Sequence, residues 1–245
     1  MTDVAANGHN TAPPQSPSYQ LIDGVAVITL DDGKANAISG ELLQRLHGAL
    51  DSAEEEARAV VIVGREARFS AGFDLAAMTA SPESMRTLVT DGARLLMRLY
   101  GLALPTVAAC TGHALAAGAL LLLSSDQRVG AEGAFKIGLN EVGIGMALPM
   151  FAIELARERL IATEFGPATL QARIYNPSTA VQAGFLDRVV PPSEVLAAAL
   201  TDAQRLAELR TGAYARTKNV ARRAVISRIL TSLDADMATV AGPDD

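Results

Sequence analysis

Glu141 lies in the run Phe135-Lys-Ile-Gly-Leu-Asn-Glu-Val-Gly-Ile-Gly145, where it is set among Ile137, Leu139, Val142 and Ile144. A carboxylate in such surroundings is costly to bury charged, and desolvation raises its pKa and prepares it to carry a proton. Upstream lies a turn built of small residues, Gly112-His-Ala-Leu-Ala-Ala-Gly-Ala-Leu120. Where a tight turn enters a helix, N–H groups stay unclaimed and the positive end of the helix dipole is near. Ala116, Ala117, Gly118 and Ala119 leave room for a ligand to approach that backbone. The pairing points to an acid/base on one side of a substrate and backbone donors on the other. The plain alternative is a loop glutamate beside a close-packed helix of small residues.

Other reactive residue types offer less. Cys110 is the single cysteine and sits in the apolar run Pro105-Thr-Val-Ala-Ala-Cys110, so it reads as a buried structural thiol. With one cysteine, no disulfide forms within the chain, and a reducing, cytoplasmic setting is expected. His9, His47 and His113 share no metal-ligand spacing, and no metal is expected. His113 reads as a satisfied structural ring, Asp126 as a structural hydrogen-bonding group and Glu66 as a solvated turn residue. The basic run Arg216-Thr-Lys-Asn-Val-Ala-Arg-Arg223 reads as a solvated helix face that could also reach a phosphate.

The elements that must position these residues follow from periodicity and turn chemistry. Tyr19 to Leu30 reads as a hairpin turning at Asp23-Gly24. Ser39 caps a helix from Gly40 to about Ala57, with Leu42, Leu43, Leu46 and Leu50 at helical spacing. Ala59–Val63 and Thr106–Cys110 are buried strands. Gly64 to Asp74 reads as a turn. Ser81 and Pro82 open a helix running to Gly101, and another helix reaches Leu123. Gln127–Gly130 and Ala134–Ile137 read as short strands. The remainder reads as mostly helical, with boundaries near Gly166-Pro167, Asn176-Pro177, Gly184 and Pro191-Pro192.

At 245 residues the chain allows one large domain or one domain with a small appendage. Residues 1–17, with Asn, Gly, Ser, Thr and Pro and no apolar periodicity, read as a disordered tail and not as a targeting peptide. Gly101 to Leu123 carries no charged side chain and is long enough to span a bilayer, but Pro105, Gly112 and Gly118 divide it into strand, turn and helix. A membrane is therefore not expected as a partner. The net charge of −6, with both signs dispersed, argues against nucleic acid as the main partner. Hydrophobic residues make up 49% of the chain, much of it Ala and Leu, which leaves apolar helix surface to bury, some of it between subunits.

Four segments, in order, resemble the crotonase (enoyl-CoA hydratase/isomerase) superfamily: Asn36-Ala-Ile-Ser39, Phe69-Ser-Ala-Gly-Phe-Asp-Leu75, Gly112-His-Ala-Leu-Ala-Ala-Gly118 and Ala183-Gly-Phe-Leu-Asp-Arg-Val-Val190. Within it, Phe69–Leu75 and Ile137–Glu141 are most similar to the mitochondrial-type Δ3,Δ2-enoyl-CoA isomerases. The regions around Thr217-Lys218 and Ser227-Arg228 also look similar. The resemblance implies an α/β fold, a spiral of ββα repeats over residues 18–190, followed by a helical trimerisation region over 191–245. It implies a homotrimer or a dimer of trimers. It also implies an acyl-CoA thioester as substrate, with no separate cofactor because coenzyme A is part of that substrate.

Residue by residue, the resemblance assigns two backbone donors for a thioester oxyanion to Phe73 and Ala117. The family usually has Gly where this chain has Ala117. It assigns substrate contacts to Lys34, Ala35, Ala71, Gly72, Asp74, Leu75 and Gly118, and the catalytic carboxylate to Glu141. The second glutamate of the hydratases falls two residues after Gly118, where this chain has Leu120, taken as a wall of the acyl pocket. Hydration needs a water held by paired carboxylates, whereas moving a double bond needs one base. The expected reaction is therefore the conversion of a 3-enoyl-CoA to the 2-enoyl-CoA through a thioester enolate, within fatty-acid metabolism. The alternatives are a 2-enoyl-CoA hydratase and a non-catalytic acyl-CoA-binding protein on the same scaffold.

Overall fold

The computed structural model describes residues 16–239. The expected tail therefore lies outside the described residues up to Gln15. Ser16 is already held, its hydroxyl accepting from the Asp31 N–H at 3.1 Å.

Strands β1 (Ser18–Ile22) and β2 (Val25–Leu30) form the expected antiparallel hairpin. Asp23 and Gly24 both take positive φ, the geometry of the tight turn that their residue types favour. From β2 the sheet continues in parallel through β3 (Ala59–Gly64), β5 (Thr106–Cys110), β7 (Gln127–Ala131) and β9 (Arg188–Val190). Both faces of the central strands are covered, which is why β3 is apolar and buried at every position, whereas β1 at the sheet edge is partly exposed. On one face Val25, Val27, Val61, Val107 and Val129 pack with Val195, Ala199 and Ala203 of a late helix (Val195–Ala207). On the other, Ala26, Ile28, Val60, Ile62 and Ala108 meet helices α1 (Gly40–Glu56) and α3 (Pro82–Gly101). Ser39 and Ser81 cap these two helices as expected.

A second sheet holds three short parallel strands, β4 (Ala67–Ser70), β6 (Gly112–Leu115) and β8 (Ile137–Gly138). The chain runs from a large-sheet strand to a small-sheet strand and then to helix. β3 leads to β4, a short helix α2 (Leu75–Ala80) and α3; β5 leads to β6 and α4 (Ala117–Ser124); β7 leads to β8 and, after a 3-10 turn (Val142–Ile144), to α5 (Met150–Arg159). This is the anticipated succession of ββα repeats.

Several details differ from the sequence reading. The segment Gly64–Asp74 is not one turn but contains β4, and α2 precedes the helix expected from Pro82. The strand expected at Ala134–Ile137 shrinks to Ile137–Gly138. Gly166-Pro167 is not a boundary: Pro167 lies inside α6 (Ala162–Thr169). Asn176 and Gly184 do bound α7 (Pro177–Ala183), the first through a capping box and the second through a left-handed residue. β9 was hidden in a stretch read as helical.

After α8 (Val195–Ala207), the long α9 (Thr211–Thr239) lies along α3. Its basic run is not simply a solvated face. Lys218 Nζ reaches Asp126 Oδ2 at 2.7 Å and Arg222 reaches Oδ1 at 2.6 Å, while Tyr214 donates to Oδ2 at 2.7 Å. Lys218 is buried, whereas Arg216 and Arg223 are exposed. Among the described residues no helix is long and apolar enough to cross a membrane, and no group of His, Cys, Asp and Glu has the arrangement of a metal site.

Candidate active site

The three residues singled out for chemistry leave the carboxyl ends of three adjacent parallel strands. In register, Ser70 of β4 pairs with Ala114 of β6, and Ala114 pairs with Ile137 of β8. Phe73 and Ala117 each follow that row by three positions, and Glu141 follows it by four. Neighbouring strands lie about 4.8 Å apart, so the two amides and the carboxylate are gathered at one end of the small sheet. The order is Phe73, Ala117, Glu141, with the Ala117 strand in the middle.

Around Phe73 the backbone donors are accounted for almost completely. The Ala71 N–H goes to Ala35 O at 3.0 Å, the Gly72 N–H to Ser70 Oγ at 3.2 Å and the Asp74 N–H to Ile38 O at 3.0 Å. The Phe73 N–H has no acceptor among the described residues. Its ring lies against Gly92 of α3, where a β-carbon would collide with it.

Ala117 is the first residue of α4, so its N–H has no acceptor one turn back. The Ala119 and Leu120 N–H groups turn back to Ala116 O, and the Ala116 N–H goes to Gly138 O at 3.0 Å. Ala116 itself takes φ 51° and ψ −124°, a strained conformation for alanine that turns the chain sharply from β6 into α4. Ala117 is buried, and a small apolar cavity beneath it is lined by Ile38, Leu43, Phe73, Leu95 and Leu121.

Glu141 opens the 3-10 turn after β8, where its carbonyl accepts from Ile144 and Met146. The residue is half-buried, but Oε2 is sealed from solvent and has no hydrogen-bond partner. Burial pushes its pKa from 4.5 to about 7, opposed only by its own backbone N–H. Among the described residues no neighbouring charge contributes to this shift. Oδ1 of the preceding Asn140 is likewise sealed and unpartnered.

The remaining candidates fall into two sets. Lys34, Ala71 and Leu75 are exposed and Ala35 is half-buried, on two segments joined by the Ala71–Ala35 hydrogen bond. These form a surface that a long substrate arm could follow. Gly72, Asp74, Gly118 and Leu120 have structural occupations. Asp74 caps α2 through the Ala76 N–H. A β-carbon on Gly118 would strike Ser70 O, so close packing of α4 against β4 calls for glycine here. Leu120 is 1% exposed within the core, and the cavity beneath Ala117 is lined by its neighbour Leu121.

The residues read as structural behave so. Cys110 is buried, its thiol donates to Gly112 O at 3.3 Å, and burial pushes its pKa up to about 12. His113 Nδ1 accepts from the Lys136 N–H at 2.9 Å, and burial, then Arg68 and Lys136, hold its pKa down. A groove of about 770 Å³ between α3 and α9, lined by Arg94, Met97, Arg98 and Arg223 among others, contains none of Glu141, Phe73 and Ala117.

Comparison with known proteins gives this geometry its context. The enoyl-CoA hydratase/isomerase family description matches residues 21–241. The chain belongs to the enoyl-CoA hydratase/isomerase family. It is 33% identical to human mitochondrial enoyl-CoA delta isomerase 1, across 96% of this chain and 82% of that protein. The crystal structure of an enoyl-CoA hydratase/isomerase family protein from Pseudomonas syringae superposes with a TM-score of 0.90 at 40% identity, covering 92% of this chain and 98% of that one. An enoyl-CoA hydratase from Mycobacterium marinum superposes at 0.87 with 37% identity, covering 92% and 99%. This chain is therefore an enzyme of the hydratase/isomerase family, similar to proteins named for either reaction.

Sequence reasoning missed Asn36 and Ser70 as anything more than parts of motifs. Asn36 is buried with φ 52°, and its side chain is enclosed by carbonyls. Asn36 lies in the loop between β2 and α1 and takes the left-handed conformation that Asn tolerates, but a loop asparagine alone gives little signal.

Proposed function

We propose that this enzyme shifts the double bond of a 3-enoyl-CoA to give the 2-enoyl-CoA, a step of fatty-acid metabolism, with Glu141 as its single proton shuttle. The Glu141 carboxylate takes a proton from C2. The C2–H electron pair moves into the thioester, and negative charge builds on its oxygen. The Phe73 and Ala117 N–H groups, both without other acceptors among the described residues, are suited to receive that charge. The extended enolate also carries charge at C4, where the protonated Glu141 returns the proton. The new double bond then lies between C2 and C3, and the carboxylate is restored.

The isolation of Glu141 carries this reading. Its Oε2 has no partner, burial alone accounts for the rise of its pKa to about 7, and the position two residues after Gly118 holds the buried hydrocarbon of Leu120. A base with a pKa near neutrality takes and returns a proton with little loss at either step. Adding water would call for a second group to hold and activate it.

Two substrates offered separately test the proposal. With a 3-enoyl-CoA, the conjugated thioester should appear; with a 2-enoyl-CoA, it should persist. Rapid loss of conjugation from the 2-enoyl-CoA would assign the enzyme to hydration instead, and tight binding without turnover of either would make it an acyl-CoA-binding protein. Size-exclusion chromatography with light scattering checks the expected homotrimer or dimer of trimers.

A further inference from the structure

We infer that Asn36 and Ser70 form a positioning relay that holds the Phe73 amide in place for the thioester oxygen and ties it to the loop Asp31–Ala37. The inference rests on the enolate reading of the site. Ser70 Oγ donates to Asn36 O at 2.8 Å and accepts the Gly72 N–H at 3.2 Å. One hydroxyl thus joins the loop to the N–H of Gly72, the residue before Phe73. The Asn36 carboxamide fixes the other end. Nδ2 donates to Leu30 O at 2.7 Å and Phe69 O at 3.1 Å, and Oδ1 accepts the Asp32 N–H at 3.0 Å. β2, β4 and the intervening loop therefore meet on one buried side chain.

Alongside this relay the two segments are laced together. The Ala71 N–H bonds to Ala35 O, the Ile38 N–H to Gly72 O and the Asp74 N–H to Ile38 O. The Phe73 N–H is the one donor of residues 71–74 left over, and its direction is set by the neighbours that are tied. A preorganised donor of this kind acts where charge develops, and its value depends on not having to move. The loop also carries Lys34 and Ala35, candidate contacts for the coenzyme A portion, and Arg65 braces it by donating to Lys34 O at 2.8 Å.

Asn36 and Ser70 touch no reacting atom in this scheme, so they should act on the rate and on enolate stabilisation and leave ground-state binding alone. The test uses the full chain with Ser70→Ala, which deletes only the hydroxyl, and Asn36→Gly, which keeps the φ of 52° accessible and deletes the carboxamide. Both should lower kcat for a 3-enoyl-CoA about 10- to 100-fold, with KM changed by less than about threefold. Two binding probes separate positioning from folding. Saturated butanoyl-CoA should bind both variants as it binds wild type, whereas the near-ultraviolet enolate absorbance expected of acetoacetyl-CoA on wild type should be lost in both variants. Unchanged kcat and enolate absorbance in both variants would overturn the relay. So would a loss of butanoyl-CoA affinity that parallels the loss of rate. If wild type forms the enolate of acetoacetyl-CoA and the variants do not, yet wild type moves no double bond, the relay stands and the isomerase reading falls.

Discussion

Gly72 and Ala116 touch across the two loops that carry the free amides. A β-carbon on Gly72 would lie 2.9 Å from the Ala116 methyl and 3.3 Å from the Ala117 nitrogen, and Gly72 holds a φ of 97° that side chains rarely adopt. The contact sets the spacing of the Phe73 and Ala117 N–H groups, because each follows its contact residue directly. Gly72→Ala must part the loops or twist one of them. Loss of a single donor of this type costs about 100- to 1,000-fold in kcat, and we expect Gly72→Ala to fall in that range. Steady-state kinetics with a 3-enoyl-CoA checks it; a kcat within a few-fold of wild type would mean that the two amides do not share the thioester oxygen.

Glu141→Gln keeps the shape of the side chain and removes its ability to take a proton. It should abolish double-bond migration while acyl-CoA binding survives. In the wild-type enzyme, kcat/KM should rise with pH through about 7 and level off above it, because the free enzyme must hold Glu141 as the carboxylate. A profile already flat from pH 5 upward, or full activity in Glu141→Gln, would remove Glu141 from the role of base.

How far the sequence displayed this arrangement depends on the length of each element. The large sheet was legible because Ala59–Val63 and Thr106–Cys110 are apolar runs buried on both faces. The small sheet was not. β4 is Ala-Arg-Phe-Ser, β6 Gly-His-Ala-Leu and β8 only Ile-Gly, too short and too mixed to show any period. These three strands are the ones that gather Phe73, Ala117 and Glu141. The candidate residues could therefore be named from motifs and from one unusual carboxylate, but not placed side by side. Pro167 misled because proline usually marks a boundary, and here α6 continues through it. Asn36 had no signal of its own strength, since its importance comes from carbonyls that arrive from Leu30 and Phe69.

The raised pKa of Glu141 also predicts a stability effect with a definite sign. The unfolded chain releases this proton near pH 4.5 and the folded chain near pH 7, so the folded state holds more protons between those values. Wild-type stability should fall as pH rises across that window through this group, by an amount on the order of 3 kcal/mol at most. Glu141→Gln lacks the cost. Its melting temperature should match wild type near pH 4 and exceed it at pH 8. Equal differences at both pH values would show that Oε2 is not desolvated in the folded enzyme.

Asp126 anchors α9. Asp126 is nearly buried, and burial by itself would raise its pKa. Lys218 and Arg222, with hydrogen bonds from Lys218 and Tyr214, outweigh burial and hold it below the usual carboxylate range. Lys218 is the less fully compensated partner, since it shares the carboxylate with Arg222 and Tyr214, and burial brings its pKa down to about 8. The two ends of the pair should therefore respond differently to mutation. Asp126→Asn leaves Lys218 and Arg222 facing each other without a counter-charge and should cost about 3–5 kcal/mol. Lys218→Met removes one buried cation while Arg222, Tyr214 and Thr106 still serve Asp126, and it should cost about 1 kcal/mol or less. Because the Asp126 pKa is lowered, its contribution is complete above the unfolded value of 3.8 and is lost only as pH falls through the lower folded value. Urea unfolding at pH 7 checks the order of the two variants. Equal costs would mean that the ion pair, and not the carboxylate with its several donors, holds α9 in its place along α3.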